Sequence, residues 1–161
     1  MGEKDWVVGI AEIKAARYPD SLTAYGLGSC VGVTLFDPEQ RNGGLAHVML
    51  PSSALSTRKF IPGKFADTAV DLLVEELKLL GSDPKKLRAK LIGGANMFKT
   101  IVSHSVPIGF RNATAAREKL KALSIPLVGE DLGGESGRTI QFSLEDGRVK
   151  IKKLNQPEFW L

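Results

Sequence analysis

The chain has 161 residues, 43% of them hydrophobic and 25% charged, with a net charge of +4. That is enough for one domain, residues 1–161, with a sizeable core. No apolar run approaches the roughly 20 residues of a membrane span, and the mild, evenly spread positive charge lacks the interleaved aromatics of a nucleic-acid surface.

The opening residues, Met1-Gly2-Glu3-Lys4-Asp5-Trp6, have neither the basic start nor the apolar centre of a secretion signal, so a cytoplasmic protein without membrane insertion is expected. Trp6 to Ala11 is predicted as a first strand, and Ser21 to Tyr25 as a short extended piece running into Gly26-Leu27-Gly28-Ser29-Cys30. Val31 to Phe36 is apolar on both of its faces and predicts a strand buried on both sides. Asp37-Pro38 opens a turn that Gly43-Gly44 is expected to close, with Leu45 to Leu50 as the next strand. Pro51 to Gly63 reads as a long loop. Phe65 to Leu80 is the clearest helix, because Ala66, Ala69, Val70, Leu73, Leu77 and Leu80 recur at helical spacing. Arg88 to Ile92 predicts a strand, and Asn112 to Leu123 a second helix with Asn112 capping its first turn. Pro126 to Glu130 predicts a further strand, and Thr139 to Glu145 and Arg148 to Leu154 a hairpin about Asp146-Gly147. The tail ending in Phe159-Trp160-Leu161 is either tucked onto the core or open to a partner. The sum is an α/β (α+β) domain of mixed sheets with two main helices and about seven or eight strands.

The chemistry concentrates at Cys30 and His47. The only cysteine excludes an internal disulfide, and with just two histidines, His47 and His104, a structural zinc site of the Cys/His kind is excluded as well. A free cysteine is most often a small buried apolar residue. Here it follows a turn with two glycines and begins a strand, where its sulfur can be presented at a sheet edge. The N–H groups around Gly28, Ser29 and Cys30 are then free to face a developing oxyanion. His47 sits in the apolar run Leu45–Leu50 on the next strand, and antiparallel pairing of the two strands sets the imidazole beside the thiol. Such a pair suits attack on an amide carbonyl, with an imidazolium lowering the thiol pKa toward neutrality. His104, in Ser103-His104-Ser105, reads as a solvated loop residue. Arg111 and Arg138 read as loop anchors paired with Asp131 or Glu130. Nucleotide motifs fail: Gly26 to Gly32 has one residue too many for the dinucleotide fingerprint, and Gly133 to Thr139 lacks the P-loop spacing and lysine.

Beyond the pair itself, Gly26-Leu27-Gly28-Ser29-Cys30-Val31 followed by His47-Val48-Met49-Leu50-Pro51 resembles CheD, the family of chemoreceptor glutamine deamidases. The resemblance continues through Gly63–Ala69, Lys90–Phe98, Ile108–Asn112 and Glu130–Gly134 with Gly137-Arg138, in order along nearly the whole chain. It implies a layered α/β fold similar to the catalytic domain of the cytotoxic necrotizing factors. It also implies hydrolysis of receptor glutamine side-chain amides, with Cys30 as nucleophile, His47 as base and acid, and no metal or cofactor. The implied partners are chemoreceptor cytoplasmic helices and the CheC phosphatase. Where the family usually has a threonine that orients the histidine, this chain has Ala24, with Thr23 adjacent; Thr23 takes that role only if a bulge near Gly26 restores its direction, and otherwise the backbone, Ser29 or Tyr25 must orient His47. Two rivals share these residues: a regulatory binding protein for CheC without catalysis, and a methylesterase of receptor glutamyl esters.

Overall fold

The doubly apolar segment Val31–Asp37 lies where its pattern demands, in the middle of a sheet covered on both faces. The computed structural model describes residues 2–55, 61–97 and 106–161. In chain order the strands are β1 (Asp5–Val7), β2 (Ile13–Arg17), β3 (Ser21–Leu27), β4 (Val31–Asp37), β5 (Asn42–Val48), β6 (Arg88–Gly93), β7 (Leu127–Leu132), β8 (Arg138–Ser143), β9 (Val149–Lys153) and β10 (Phe159–Trp160). The two longer helices are α1 (Ala66–Leu79), after β5, and α2 (Ile108–Ala122), after β6. One sheet has the order β1-β3-β8-β9-β10 and the other β2-β5-β4-β6-β7. Both are mixed: β1 runs parallel to β3 and β7 parallel to β6, while the remaining neighbours are antiparallel.

The layers follow from the side-chain alternation of β4 and β5. Val31, Val33, Leu35, Ala46 and Val48 pack with Ala69, Leu73 and Leu77 of α1 and Ala116 and Leu120 of α2. The opposite faces, with Phe36 and Leu45, pack against Leu22, Ala24, Ile140 and Phe142 of the other sheet. Cys30 joins this inter-sheet layer as a half-buried member. Every residue of β4 and β5 is buried.

Several boundaries differ from the sequence reading for local reasons. The first strand stops at Val7, because Ala11 adopts a left-handed backbone (φ 67°) and the chain then crosses to the other sheet as β2, which the sequence did not announce. Gly43 and Gly44 lie inside β5 and do not close the turn. The turn is made by the Asp37 carboxylate, which accepts the N–H groups of Glu39 and Gln40, and by left-handed Arg41. The glycines serve close approach: a side chain on Gly43 would strike Leu144 and one on Gly44 would strike Leu73, so the sheet–sheet and sheet–helix gaps both close over them. The tail does both: its backbone pairs with β9 as β10 and Leu161 exchanges backbone hydrogen bonds with Val149, while the side chains of Phe159 and Trp160 stay exposed. The middle of the long loop, residues 56–60, and the His104 and Phe98 positions lie outside the described residues.

At the end of β6, Gly93 has φ 114° and a side chain there would collide with the Cys30 carbonyl. A Gly93→Ala substitution should therefore cost about 2–3 kcal/mol through left-handed strain and contact. That lowers the thermal midpoint by on the order of 5–10 °C, read by calorimetry.

Candidate active site

Cys30 occupies the residue before β4, and its placement relative to His47 is set by strand register. In the β4–β5 ladder Gly32 stands opposite His47 and Val31 opposite Val48. Cys30 is two residues before Gly32, so its side chain leaves the sheet on the same face as His47, as a diagonal neighbour. Such neighbours have Cβ atoms within about 7 Å, inside the reach of an imidazole. That face looks into the inter-sheet layer, so His47 lies beneath the surface at 1% exposure while Cys30 reaches a cavity.

His47 is held from three directions. Its backbone N–H donates to the Glu12 carbonyl at 3.0 Å and its carbonyl accepts the Ala11 N–H at 2.9 Å. Its Nδ1 lies 3.1 Å from the Val8 carbonyl. A carbonyl only accepts, so Nδ1 carries the proton and Nε2 presents its lone pair. Nε2 is buried and has no hydrogen-bond partner among the described residues. This is the tautomer a general base for the thiol requires. Val8 is itself fixed, because its N–H donates to the Thr23 carbonyl at 2.8 Å, and the turn after it is closed by the Glu12 carboxylate on the Gly9 N–H.

Of the orienting groups the sequence left open, Thr23, the backbone, Ser29 or Tyr25, the structure sets the backbone carbonyl of Val8 against the ring. The Thr23 hydroxyl donates to the Asp5 carboxylate at 2.8 Å, on the face away from His47. Ala24 faces the inter-sheet layer instead. The β3 bulge does exist, between Ala24 and Leu27, but it comes after Thr23 and does not turn that side chain inward. Thr23 reaches the histidine only through its own carbonyl and Val8.

The cavity beside Cys30 has a volume of ≈ 340 Å³ and is walled by Gly28, Ser29, Ala95, Met97 and the first turn of α2 at Ile108 and Gly109. The positive end of the α2 dipole therefore borders the thiol. Among the described residues, no backbone hydrogen bond occupies the N–H of Ser29 or of Cys30. The carbonyls of this segment are all engaged: Gly28 accepts from Ala95 N–H at 2.8 Å, Ser29 from Asn112 Nδ2 at 3.0 Å, and Cys30 from Gly94 N–H at 2.8 Å. A larger adjoining cavity of ≈ 630 Å³ shares Asn96 and Pro107 but contains no nucleophilic side chain. Among the described residues, no cluster of three or more His, Cys, Asp or Glu side chains is grouped as metal ligands would be.

Supporting charges hold the far side. Arg138, 3% exposed, donates to Asp131 at 2.8 Å and to the Gly93 carbonyl at 3.3 Å, so the pairing expected of Arg138 also braces the strand end that touches Cys30. Glu130 pairs with Arg117 at 2.8 Å, a partner the sequence reading did not name. Asn112, expected as a helix cap, lies one turn inside α2, which starts after Pro107; its amide bridges the Ser29 and Met49 carbonyls, each at 3.0 Å. The signal for it was present, since Asn112, Ala116 and Leu120 form one helical stripe with a single polar member.

Burial pushes the Cys30 thiol up. Burial also pushes the His47 imidazolium down, against the smaller opposing pulls of the Val8 carbonyl and the Glu12 carboxylate. Burial thus favours the neutral form of each group and works against the thiolate–imidazolium pair anticipated from sequence. Alkylation of Cys30 by iodoacetamide in the free protein should rise with pH and reach its midpoint above the ordinary cysteine value of about 8.5. A rate plateau extending into acid pH, measured by mass spectrometry of quenched samples, is the contrary outcome.

Residues 49–153 match the family described as CheD chemotactic sensory transduction. A protein of Caldanaerobacter subterraneus subsp. tengcongensis named "Probable chemoreceptor glutamine deamidase CheD" is 47% identical over 155 residues, covering 96% of each chain. A protein of Archaeoglobus fulgidus with the same name is 46% identical over 155 residues, covering 96% of this chain and 97% of its own. The family match begins after Cys30 and His47, whereas these near full-length alignments span both positions.

Proposed function

The chain belongs to the CheD family, and from that premise we propose that it deamidates chemoreceptor glutamines with Cys30 as nucleophile and His47 as base and acid. The observation that carries the site assignment is the His47 tautomer: Nδ1 is committed to the Val8 carbonyl, leaving a buried Nε2, without a hydrogen-bond partner among the described residues, on the face it shares with the cavity-lining Cys30.

The steps follow from that geometry. A glutamine side chain enters the cavity and its carboxamide carbon meets Sγ. As the S–C bond forms, the thiol proton passes to Nε2, which explains how a thiol raised by burial reacts without being ionised at rest. The carbonyl oxygen becomes an oxyanion facing the Cys30 N–H, with the α2 N-terminus adding its positive end. The C–N bond then breaks, and ammonia leaves with the proton from Nε2. Water attacks the thioester, again giving its proton to the imidazole. The C–S bond breaks, the thiol is restored, and the product is a glutamate side chain. Thr23 supports the histidine at one remove, through Val8.

Receptor helices would meet exposed apolar side chains at the cavity: Met97 lines it, and Tyr25, Val106 and Phe110, also exposed, are each next in sequence to a residue that does. The net charge of +4 favours an acidic partner. No helix among the described residues is long and apolar enough to cross a membrane, and the reading places the protein in the cytoplasm, where receptor signalling helices lie. CheC, the phosphatase partner implied by the family, would compete with receptors for this protein.

Intact-mass analysis of receptor cytoplasmic fragments incubated with the protein should show a gain of about one mass unit per modified site, the replacement of NH₂ by OH that a thioester route requires. Cys30→Ala should abolish it, and His47→Gln should lower kcat by about 10²–10⁴-fold. Unchanged receptor mass with a folded protein that still binds CheC would turn the reading to a regulatory binder.

A further inference from the structure

We infer that Asn112 is a positioning residue that locks the Ser29–Cys30 peptide so that the Cys30 N–H is the oxyanion donor; the inference rests on the reading of Cys30 as the acylated residue. Asn112 is fully buried, on a helix of 15 residues. Its side chain touches two carbonyl oxygens, Ser29 and Met49, each at 3.0 Å. Both partners only accept, so the amide must present its NH₂ to them, and its orientation is fixed by the chemistry of the neighbours.

The consequence comes from the planar trans peptide. The Ser29 C=O and the Cys30 N–H belong to one rigid unit and point in opposite directions. Asn112 draws the carbonyl to the Met49 side. The N–H is thereby turned to the side of Ala95 and Met97, which together with Ser29 and Cys30 wall the cavity. The preceding peptide is held in the opposite sense, since the Gly28 carbonyl accepts the Ala95 N–H and so turns the Ser29 N–H away from that side, which leaves the Cys30 N–H as the donor there. The lock is needed because the β4–β5 ladder ends at Val31 and Val48, before either Ser29 or Met49. Past that point the side-chain amide of Asn112 joins the two segments. Without it the Ser29–Cys30 peptide is free to rotate, and a carbonyl turned into the cavity would repel the oxyanion that the N–H stabilises.

The test compares two reactions of the same thiol. Deamidation passes through an oxyanion, whereas alkylation by iodoacetamide does not. Asn112→Asp keeps the shape of the side chain but its carboxylate cannot donate. Its kcat for deamidation of a receptor fragment should fall about 10²–10³-fold, the usual loss of an oxyanion donor. KM and the rate and pH profile of Cys30 alkylation should stay within about threefold. Parallel loss of deamidation and alkylation would overturn the inference, since Asn112 would then merely hold the Cys30–His47 pair in place; an unchanged kcat would overturn it as well. Should the variant fail to fold, the wild type decides. A receptor peptide carrying an aldehyde in place of the glutamine amide forms a thiohemiacetal with Cys30, and the ¹⁵N-labelled Cys30 N–H should move downfield and exchange more slowly. A resonance that does not move overturns the inference. Failure of Cys30 to form the adduct at all, together with deamidation surviving Cys30→Ala, overturns the underlying reading of Cys30 and the inference with it.

Discussion

The hydrogen bond from the His47 ring to the Val8 carbonyl decides what the site can do. An imidazole shut away from water needs one nitrogen bonded, and the nature of its partner selects which nitrogen keeps the proton. A carbonyl selects Nδ1–H and leaves Nε2 basic. Much of the local architecture serves to keep that carbonyl in place. Left-handed Ala11 turns the chain back after β1, the Glu12 carboxylate closes the turn on Gly9, and β3 grips Val8 through Thr23. A side-chain hydroxyl could have oriented the ring, but Ala24 leaves none on the inward face of β3 at that point.

The two sheets and the helical layer divide the work. The inter-sheet layer dries the imidazole and holds its tautomer. The helical side anchors the turn that carries Cys30, through Asn112 and through the close contact of Gly109 with Ala95. Two buried polar atoms, His47 Nε2 and Asn112 Oδ1, have no partner among the described residues. Unpartnered polar atoms cost stability when buried, and both belong to residues on which the proposed reaction depends.

The parts legible from sequence were those with a repeating signal or a compact motif. The alternation in Val31–Phe36 and the stripe from Ala66 to Leu77 gave a doubly covered strand and a helix, and the order of motifs from Gly26 to Arg138 gave the family. Cys30 and His47 could be brought to one sheet face because a short hairpin joins their strands. What stayed hidden depends on contacts across long stretches of chain. β2 carries no clean period, since Ile13–Arg17 is only partly buried at a sheet edge. Gly43 and Gly44 looked like turn residues because glycine marks turns and close approaches alike, and only Leu144 and Leu73 decide between them. The role of Val8 is played by its backbone, which no residue type reveals.

The order in which these contacts can form follows from their spacing along the chain. The β4–β5 hairpin is closed by a short turn, whereas the His47–Val8 bond joins residues 39 apart and the Asn112–Ser29 bond residues 83 apart. Loop closure disfavours the distant contacts until the rest of the fold supports them. A growing chain emerging from the ribosome therefore has Val8 and the Cys30 and His47 strands in hand before Asn112 is made to fix the Cys30 peptide. Chains that stop short of α2 therefore carry the Cys30 and His47 strands without the side chain that holds the Ser29 carbonyl.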